Sequence, residues 1–366
     1  MSQEQRKQSE MRLSRKLIIF LAALIVVCIG LCVWNVSLLS DYRQLKKENA
    51  RLTAAVKPEE APEVIVPEQE SATGKDEQEK EPELEETAAR YFDMVETGED
   101  TCTITGYSGR DVDVVIPAMI DGRRVTKIGD KAFYDLRVTS VVIPEGVTEI
   151  ENRAFERCSK LTSVTIPETV VTIGEHAFES CSKLASVSIP GSVVEIGDYA
   201  FNGCNQLKSV EFAEGLQRIG EEAFNACHME SIRLPDTLME IGSGAFINCY
   251  FLKTAELPQT LTGVSEEMFA ECINLTSIEL PETVTDIGSS AFSGCARLTE
   301  VHIPDSVTNI GKDAFAECDA LVIFTSRDSY AANWAKDNGV DREYVEVQLP
   351  QETAEPEANG ETEAGA

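Results

Sequence analysis

The chain has 366 residues, of which 43% are hydrophobic, and a formal net charge of −31 at pH 7. So acidic a chain repels polyphosphates and anionic headgroups, which excludes nucleic acid and anionic membrane surfaces as partners of its main body. The charge is uneven: residues 1–16 have a net charge of +3 and residues 57–90 of −8, while residues 343–366 contain seven acids and no base.

The first predicted element is an apolar run close to the N-terminus. Leu17 to Trp34 is an uncharged stretch of 18 residues, which Val36, Leu38 and Leu39 prolong. This length can cross a bilayer as a helix, and the five basic residues before it predict a cytoplasmic N-terminus. A cleaved signal peptide is the alternative, but its apolar region is usually about 7–15 residues and ends in a small-residue cleavage site. We therefore expect a cytoplasmic tail (1–16), a transmembrane signal anchor (17–39) and an extracellular remainder at the cell membrane.

Two polar segments follow the apolar run. Residues 40–56 continue a heptad pattern in which Asn49 occupies an a position, a pattern typical of two-stranded parallel coiled coils. The segment predicts either a homodimer through residues 38–56 or a polar juxtamembrane helix, because so short a coil is marginal in water. Residues 57–90 combine four prolines with twelve acids and predict an extended, disordered stalk.

Residues 91–126 predict short strands. Cys102–Tyr107 and Val112–Pro117 alternate in polarity and are rich in β-branched residues, and Asp121-Gly122 provides a turn. Because an array of repeats needs an atypical first unit to cover its apolar end, this segment is the expected N-terminal cap.

One unit recurs through residues 127–325. Its nine phenylalanines are 22 or 23 residues apart, and each except Phe269 is preceded by alanine. All but the first are followed three residues later by cysteine, then by Leu-x-x-Val-x-Ile-Pro and Val-x-x-Ile-Gly. An isolated unit could not bury its apolar side chains, whereas stacked copies form one continuous core. The two sets are Phe133, Phe155, Phe178, Phe201, Phe224, Phe246, Phe269, Phe292 and Phe315, and Cys158, Cys181, Cys204, Cys227, Cys249, Cys272, Cys295 and Cys318.

The combination of Ile-Gly-x-x-Ala-Phe-x-x-Cys with Leu-x-x-Val-x-Ile-Pro resembles the BspA-like leucine-rich repeat, the treponemal-type class of 23 residues. The resemblance covers about nine repeats. It implies a repeat solenoid: a curved leucine-rich-repeat array with a parallel β-sheet face, short helical or second-strand segments opposite, and a cap at each end. Departures at Glu151, Ala213, Val264 and Ser265 predict local irregularity at those turns.

The array is followed by a predicted capping helix in residues 326–342. Ser329 to Gly339 has apolar residues at helical spacing and ends in Asn338-Gly339, a C-terminal stop signal. Beyond it, the acidic residues 343–366 predict a disordered tail.

The eleven cysteines and three histidines favour neither a metal site nor an active site. Eight cysteines form one file along the solenoid, whose coil spacing of about 4.8 Å suits neither a disulfide nor tetrahedral zinc. We expect them to be buried free thiols. His176, His228 and His302 occupy different positions in their repeats, so stacking does not gather them. No catalytic residues, cofactor or metal are predicted, and the chain is not expected to be an enzyme.

The expected ligand-binding surface is the outward side of the repeat strands. Its side chains are small and neutral at first and become acidic towards the C-terminus, with Arg233 as the one base. The alternative interpretation is a soluble strand face that binds nothing. The candidate residues are Ser163, Thr165, Ser186, Ser188, Ser209, Glu211, Ser231, Arg233, Thr254, Glu256, Ser277, Glu279, Glu300 and His302.

Tyr250 and Phe251 are unusual, because most other repeats have two polar or small residues at these positions. They are either a surface contact site or a pair that folds back over the turn at Val264-Ser265.

The apolar run predicts a membrane-anchored extracytoplasmic protein, and the resemblance implies that it binds a protein or extracellular-matrix ligand or mediates adhesion. The alternative is a cell-envelope scaffold or sensor that binds another membrane protein. The short coiled-coil segment favours the second function, and the long stalk favours the first.

Overall fold

The computed structural model describes residues 85–345. The predicted cytoplasmic tail, anchor and juxtamembrane segment, nearly all of the stalk, and residues 346–366 of the tail lie outside this range. Within it, no helix has the length and apolarity needed to span a membrane.

A 3-10 turn spans Ala89–Tyr91. The elements are β1 (Phe92–Glu96), β2 (Thr101–Tyr107), β3 (Asp113–Val115), β4 (Met119–Ile120), β5 (Arg123–Ile128), β6 (Ser140–Val142), β7 (Glu149–Ile150), β8 (Ser163–Thr165), β9 (Thr172–Ile173), β10 (Ser186–Ile189), β11 (Glu195–Ile196), β12 (Ser209–Phe212), β13 (Arg218–Ile219), β14 (Ser231–Arg233), β15 (Glu240–Ile241), β16 (Thr254–Glu256), β17 (Gly263–Val264), β18 (Ser277–Glu279), β19 (Asp286–Ile287), β20 (Glu300–His302), β21 (Asn309–Ile310), β22 (Val322–Thr325), α1 (Tyr330–Asn338) and β23 (Asp341–Tyr344).

The described chain is a parallel β-solenoid in which each coil contributes two short strands. The Leu-x-x-Val-x-Ile segments form one side, where β3-β6-β8, β10-β12, β14-β16 and β18-β20-β22-β23 pair. The Val-x-x-Ile-Gly segments form another side, with β5-β7-β9-β11-β13-β15 in one row and β17-β19-β21 in the next. The resemblance left open whether short helices or second strands lie opposite the first sheet, and the structure has strands there.

The Ala-Phe segments form a third side of the coil, which is neither helix nor strand. The residues two before and two after each phenylalanine have φ between 47° and 74°, a left-handed conformation that costs non-glycine residues about 1 kcal/mol or more. Direct hydrogen bonds between coils offset this cost. Phe155 N–H donates to Ala177 O at 2.7 Å, and Arg157 N–H donates to Glu179 O at 2.7 Å. The same pattern recurs in the following coils, always from one coil to the next.

A stack of aromatic rings runs through the core. Consecutive repeat phenylalanines from Phe133 to Phe315 have ring centroids 4.9 to 5.7 Å apart and nearly parallel planes. Tyr107 continues the stack at 5.5 Å on the N-terminal side, and Trp334 of α1 packs edge-on against Phe315 at 5.7 Å. Each end of the stack is thus covered by an aromatic ring from outside the repeats.

The cysteine file lies beside this stack, and all eight of its thiols are buried. Each Sγ–H donates to the carbonyl of the phenylalanine in the preceding coil, at 3.0 to 3.4 Å. The structure therefore supports the expectation of buried free thiols and gives each an acceptor. Burial raises the pKa of the thiols of Cys158, Cys204, Cys249 and Cys318 to about 12, which keeps them protonated and unreactive.

The repeat glycines allow neighbouring coils to approach closely. A Cβ at Gly220 would lie 2.4 Å from Asp198 Oδ1 and 2.5 Å from Asp198 N. Where Ser265 replaces this glycine, its hydroxyl donates to Gly242 O at 2.9 Å, and the row of short strands is interrupted between β15 and β17. The predicted irregularity is therefore present at Ser265, whereas at Glu151 the row continues through β7.

The helix α1 closes the C-terminal end. Ser329 Oγ accepts a hydrogen bond from Ala332 N at 3.0 Å, which caps the helix N-terminus. Gly339, with φ of 70°, ends it in the left-handed conformation that glycine adopts without strain. The helix was predicted from its apolar spacing and from the stop at Asn338-Gly339, and the Ser329 cap is an addition from the structure.

Candidate functional site

The predicted surface, here called the strand face, consists of the outward side chains of β8, β10, β12, β14, β16, β18 and β20. The side chains form two columns because equivalent residues pair in register, as Ser186 does with Ser209 and Glu279 with His302. The residue between the columns points inward, so Val187 and Ile278 are buried. Of the fourteen candidate residues, eleven are exposed, and Ser277, Glu300 and His302 are half-buried.

Charges on the strand face pair locally. Arg233 Nη1 lies 3.7 Å from Glu256 Oε2, with both side chains largely exposed. His302 Nε2 lies 2.8 Å from Glu300 Oε1, and the imidazole stacks on Phe324 at 4.8 Å. An exposed ion pair such as Arg233–Glu256 contributes little to stability, so its two side chains can exchange this contact for one with a ligand.

The aromatic pair lies on the surface beside this face. Tyr250 and Phe251 are 41% and 47% exposed, so the structure does not show the alternative in which they are covered against Val264-Ser265. Phe251 instead contacts the imidazole of His228 in the preceding coil, with ring centroids 4.6 Å apart. Ile273, at the position equivalent to Tyr250 in the next coil, is 39% exposed. We call His228, Tyr250, Phe251 and Ile273 the aromatic patch.

Sequence reasoning missed His228 as a member of this patch. The preceding repeat is one residue shorter after its cysteine, so Met229 takes the buried position that leucine occupies elsewhere. His228 is therefore held next to the following coil. That shortened spacing is the signal from which the contact could have been found.

An open groove runs along the edge of the strand face. Two adjoining depressions, of about 560 and 440 Å³, share Glu279, Leu280 and Glu282 and together make up what we call the edge groove. One wall is formed by outward strand residues and the other by the residues that follow the repeat proline. The second wall was not predicted, although its members can be read at the position after Ile-Pro or its equivalent: Glu214, Asp236, Gln259, Glu282 and Asp305.

His176 and Tyr199, outside the strand face and the groove, have local partners. His176 Nδ1 lies 2.6 Å from Glu179 Oε2, and its ring stacks on Tyr199 at 5.0 Å. Tyr199 O–H donates to Glu221 at 3.0 Å, and this hydrogen bond raises the pKa of the phenol to about 12. Within residues 85–345, no three potential ligands among His, Cys, Asp and Glu gather around a point where a metal ion could sit.

Comparison with known sequences identifies the repeat. The sequence model of the BspA type leucine rich repeat region matches residues 126–253 and 207–322, in six copies, and so covers more than half of the chain. The chain belongs to this family. The resemblance expected from the motifs is therefore confirmed. The search among curated protein sequences finds no match.

Several solved structures are similar to this member of the BspA type family. The leucine-rich repeat protein of T. pallidum is 32% identical over 58% of this chain and 91% of its own, with a TM-score of 0.46. A leucine-rich cell surface protein of Faecalibacterium prausnitzii is 26% identical over 71% and 98%, with a TM-score of 0.34. The pneumococcal vaccine antigen PcpA is 16% identical over 70% and 97%, with a TM-score of 0.32.

Proposed function

We propose that this protein binds a protein ligand through the strand face and the adjoining aromatic patch. One observation carries this proposal. The repeated phenylalanine and cysteine positions are all buried, so they serve stacking alone, while the side chains that differ between coils lie together on an open face. A surface that is rigid in its backbone and variable in its side chains suits recognition of an extended partner.

The aromatic patch places partly exposed apolar side chains next to the strand face. Aromatic side chains are enriched among the residues that dominate protein–protein affinity. Tyr250, Phe251 and Ile273 are partly exposed in neighbouring coils, and His228 holds the Phe251 ring in place. We therefore expect the patch to anchor the ligand and the strand face to orient it.

We further propose that a single-pass anchor at residues 17–39 holds the solenoid outside the cell. There the solenoid recognises a protein or matrix ligand or mediates adhesion. The apolar run of 18 residues and the five basic residues before it support this topology. Protease added to intact cells should then remove the solenoid while leaving a fragment in the membrane. Protection of the solenoid in intact cells, together with its digestion after lysis, would contradict this location.

A second candidate function is an envelope scaffold or sensor that binds another membrane protein. The heptad pattern of residues 38–56, with Asn49 at an a position, favours it because it predicts a homodimer next to the membrane. The two functions differ in where the ligand resides.

The two functions can be separated with the full-length chain in detergent. It is immobilised and exposed separately to matrix proteins and to solubilised membrane proteins of the source cell. Saturable binding to matrix proteins supports adhesion, and saturable binding to the membrane fraction alone supports the scaffold. Binding to neither would refute a protein-binding function.

The site is tested with the double variant Tyr250→Ser/Phe251→Ser. Because both rings are partly exposed, ligand affinity should fall about tenfold, as expected for lost interface anchors, with little change in thermal stability. Val171 and Val194, which are 43% and 36% exposed elsewhere on the coils, provide the matched control. Their replacement by serine should leave affinity unchanged. Equal loss of affinity in both variants, or a collapse of stability in the first, would contradict the proposed patch.

A further inference from the structure

The edge groove lies between two walls of polar side chains. The strand wall consists of Arg233, Glu256, Glu279 and His302, which occupy equivalent positions in consecutive coils. The opposite wall is the column after the repeat proline, from Glu214 to Asp305. Between them lie the last residues of the strand segments, which are nearly buried and line the groove: Leu234, Leu257, Leu280 and Ile303.

The groove is strongly acidic. Six carboxylates line it, from Glu214, Asp236, Glu256, Glu279, Glu282 and Asp305, and Arg233 is the one lysine or arginine among its described lining residues. Three of the carboxylates have partners. Glu214 accepts from Thr237 N at 3.3 Å, Asp236 from Gln259 N at 3.1 Å, and Glu256 pairs with Arg233.

The other three carboxylates, those of Glu279, Glu282 and Asp305, have no ion-pair partner among residues 85–345. Glu279 and Glu282 line both depressions and Asp305 lines the second, and all three side chains are exposed. Exposed carboxylates without an ion-pair partner among these residues attract the ammonium or guanidinium group of a lysine or arginine side chain. The groove is therefore complementary to cationic side chains.

The spacing of the coils restricts the conformation of such a ligand. Equivalent residues in adjacent coils are about 4.8 Å apart, so the Asp236 and Glu282 positions, two coils apart, are separated by about 9.6 Å along the groove. A polyproline II segment advances about 9.3 Å in three residues and presents every third side chain in the same direction. A fully extended strand, in which side chains recur on one side at about 6.8 Å, does not match this spacing.

We propose that the edge groove binds an extended basic segment of a partner protein, in which lysine or arginine recurs at every third residue. This inference rests on the proposed protein-binding function and assigns the chemistry of the ligand. The chain's own C-terminal segment is unsuited to the groove by charge, because residues 346–366 contain six acids and no base. Its N-terminal segment, residues 1–16, has a net charge of +3 and is distinguished from a partner by the test.

The test measures binding of fluorescent peptides to the full-length chain in detergent, at low and at near-physiological ionic strength. One peptide has lysine at every third position with proline and alanine between, and the other has the same composition with its lysines contiguous. The spaced peptide should bind more tightly, and its affinity should fall with salt because the contacts are ionic. Equal affinity of the two peptides would overturn the spacing argument.

The groove is tested with the double variant Glu279→Gln/Glu282→Gln. Because two exposed ion pairs are removed, affinity for the spaced peptide should fall about fivefold. Glu266 and Glu267 are exposed acids outside the groove, and their replacement by glutamine changes the net charge equally. This control should bind the peptide like the unmodified chain. Equal losses in both variants would show general attraction to an acidic protein and would overturn the proposed site.

Two further outcomes separate this inference from the proposed function. If the spaced peptide fails to bind while a protein ligand is still captured through the aromatic patch, the groove assignment fails and the function stands. If no protein ligand is captured but the peptide binds the groove, the function fails alone. Stronger competition by a peptide of residues 1–16 than by the spaced lysine peptide would assign the groove to this chain and exclude a partner.

Discussion

The cysteine file predicts a steep loss of stability at alkaline pH. In the folded chain, burial raises the pKa of four thiols to about 12, and the pKa values of the other four in the file are also raised. In the unfolded chain each thiol returns to its ordinary value of 9.0. A group whose folded pKa is raised stabilises the fold fully below its unfolded pKa and loses that contribution as pH rises towards the folded value. The window of lost stability therefore extends from pH 9 to about pH 12.

The magnitude follows from the number of thiols. At pH 10, one unit above the unfolded pKa, each thiol costs about 1.4 kcal/mol of unfolding free energy. Eight such thiols, distributed over eight coils, cost about 11 kcal/mol together, which is comparable with the whole stability of a typical domain. The unfolding free energy of the protein should therefore be much smaller at pH 10 than at pH 8.

Urea denaturation followed by circular dichroism at pH 8, 9 and 10, with a reductant present, measures this loss. Tyr199, whose pKa is raised by its hydrogen bond to Glu221, contributes with the same sign, so the thiols are isolated with a variant. Cys204→Ala/Cys227→Ala should be less stable at pH 8 but should lose about 2.8 kcal/mol less between pH 8 and pH 10. If the variant and the unmodified chain have the same pH dependence, or if the latter is equally stable at pH 8 and 10, the argument is refuted.

Two further predictions concern the stacked core and are measured by urea denaturation at pH 7. Phe201→Ala should lower the free energy of unfolding by about 3–5 kcal/mol, because the ring is fully buried between two others. The control Phe251→Ala, at an exposed ring, should lower it little. Similar losses in both variants would contradict a stabilising ring stack. Gly220→Ala should lower the free energy of unfolding by more than about 1 kcal/mol, since the new Cβ would overlap Asp198. Gly263→Ala should be neutral or slightly stabilising, because its Cβ would have its nearest neighbour at an ordinary 3.5 Å. Destabilisation by both variants would contradict the close-approach explanation.

The sequence predicted the buried half of the fold well, because each apolar position recurs with the coil. The period placed Phe178 and Cys181 in the core, and alternation placed Ser186 and Ser188 outside, as the structure has them. The helix α1 was equally predictable from its apolar spacing and from Asn338-Gly339.

The backbone conformation of the third side of the coil, which the Ala-Phe segments form and which we call the turn side, was not predictable from local residue preferences. Its left-handed positions are occupied by residues as different as Arg153, His176, Tyr199 and Glu222. None of these types favours positive φ as glycine does. The conformation is set by hydrogen bonds to the neighbouring coil, an interaction between residues about 22 positions apart that no local sequence window contains.

The candidate site was predicted in part for a related reason. The strand face follows from alternation within one strand, so all of its members could be named. The edge groove arises between Glu279 and Glu282, which face each other only because the chain turns at Pro281. The aromatic patch depends on one deleted residue before Met229, which repositions His228. The aromatic patch is thus a relation between two coils, whereas the groove depends on the turn within each coil.

The hydrogen bonds of the turn side also affect how the number of repeats in such a protein can change during evolution. From the coil of Phe133 to that of Phe292, each coil donates there to its successor, so any copy of the coil can supply the acceptors that its neighbour needs. Duplication or loss of one whole unit in the gene would therefore leave every remaining junction intact. The two ends do not share this interchangeability, because Tyr107 and Trp334 each fit one terminus. The length of the array can thus vary in steps of a single coil, while the terminal segments stay as they are.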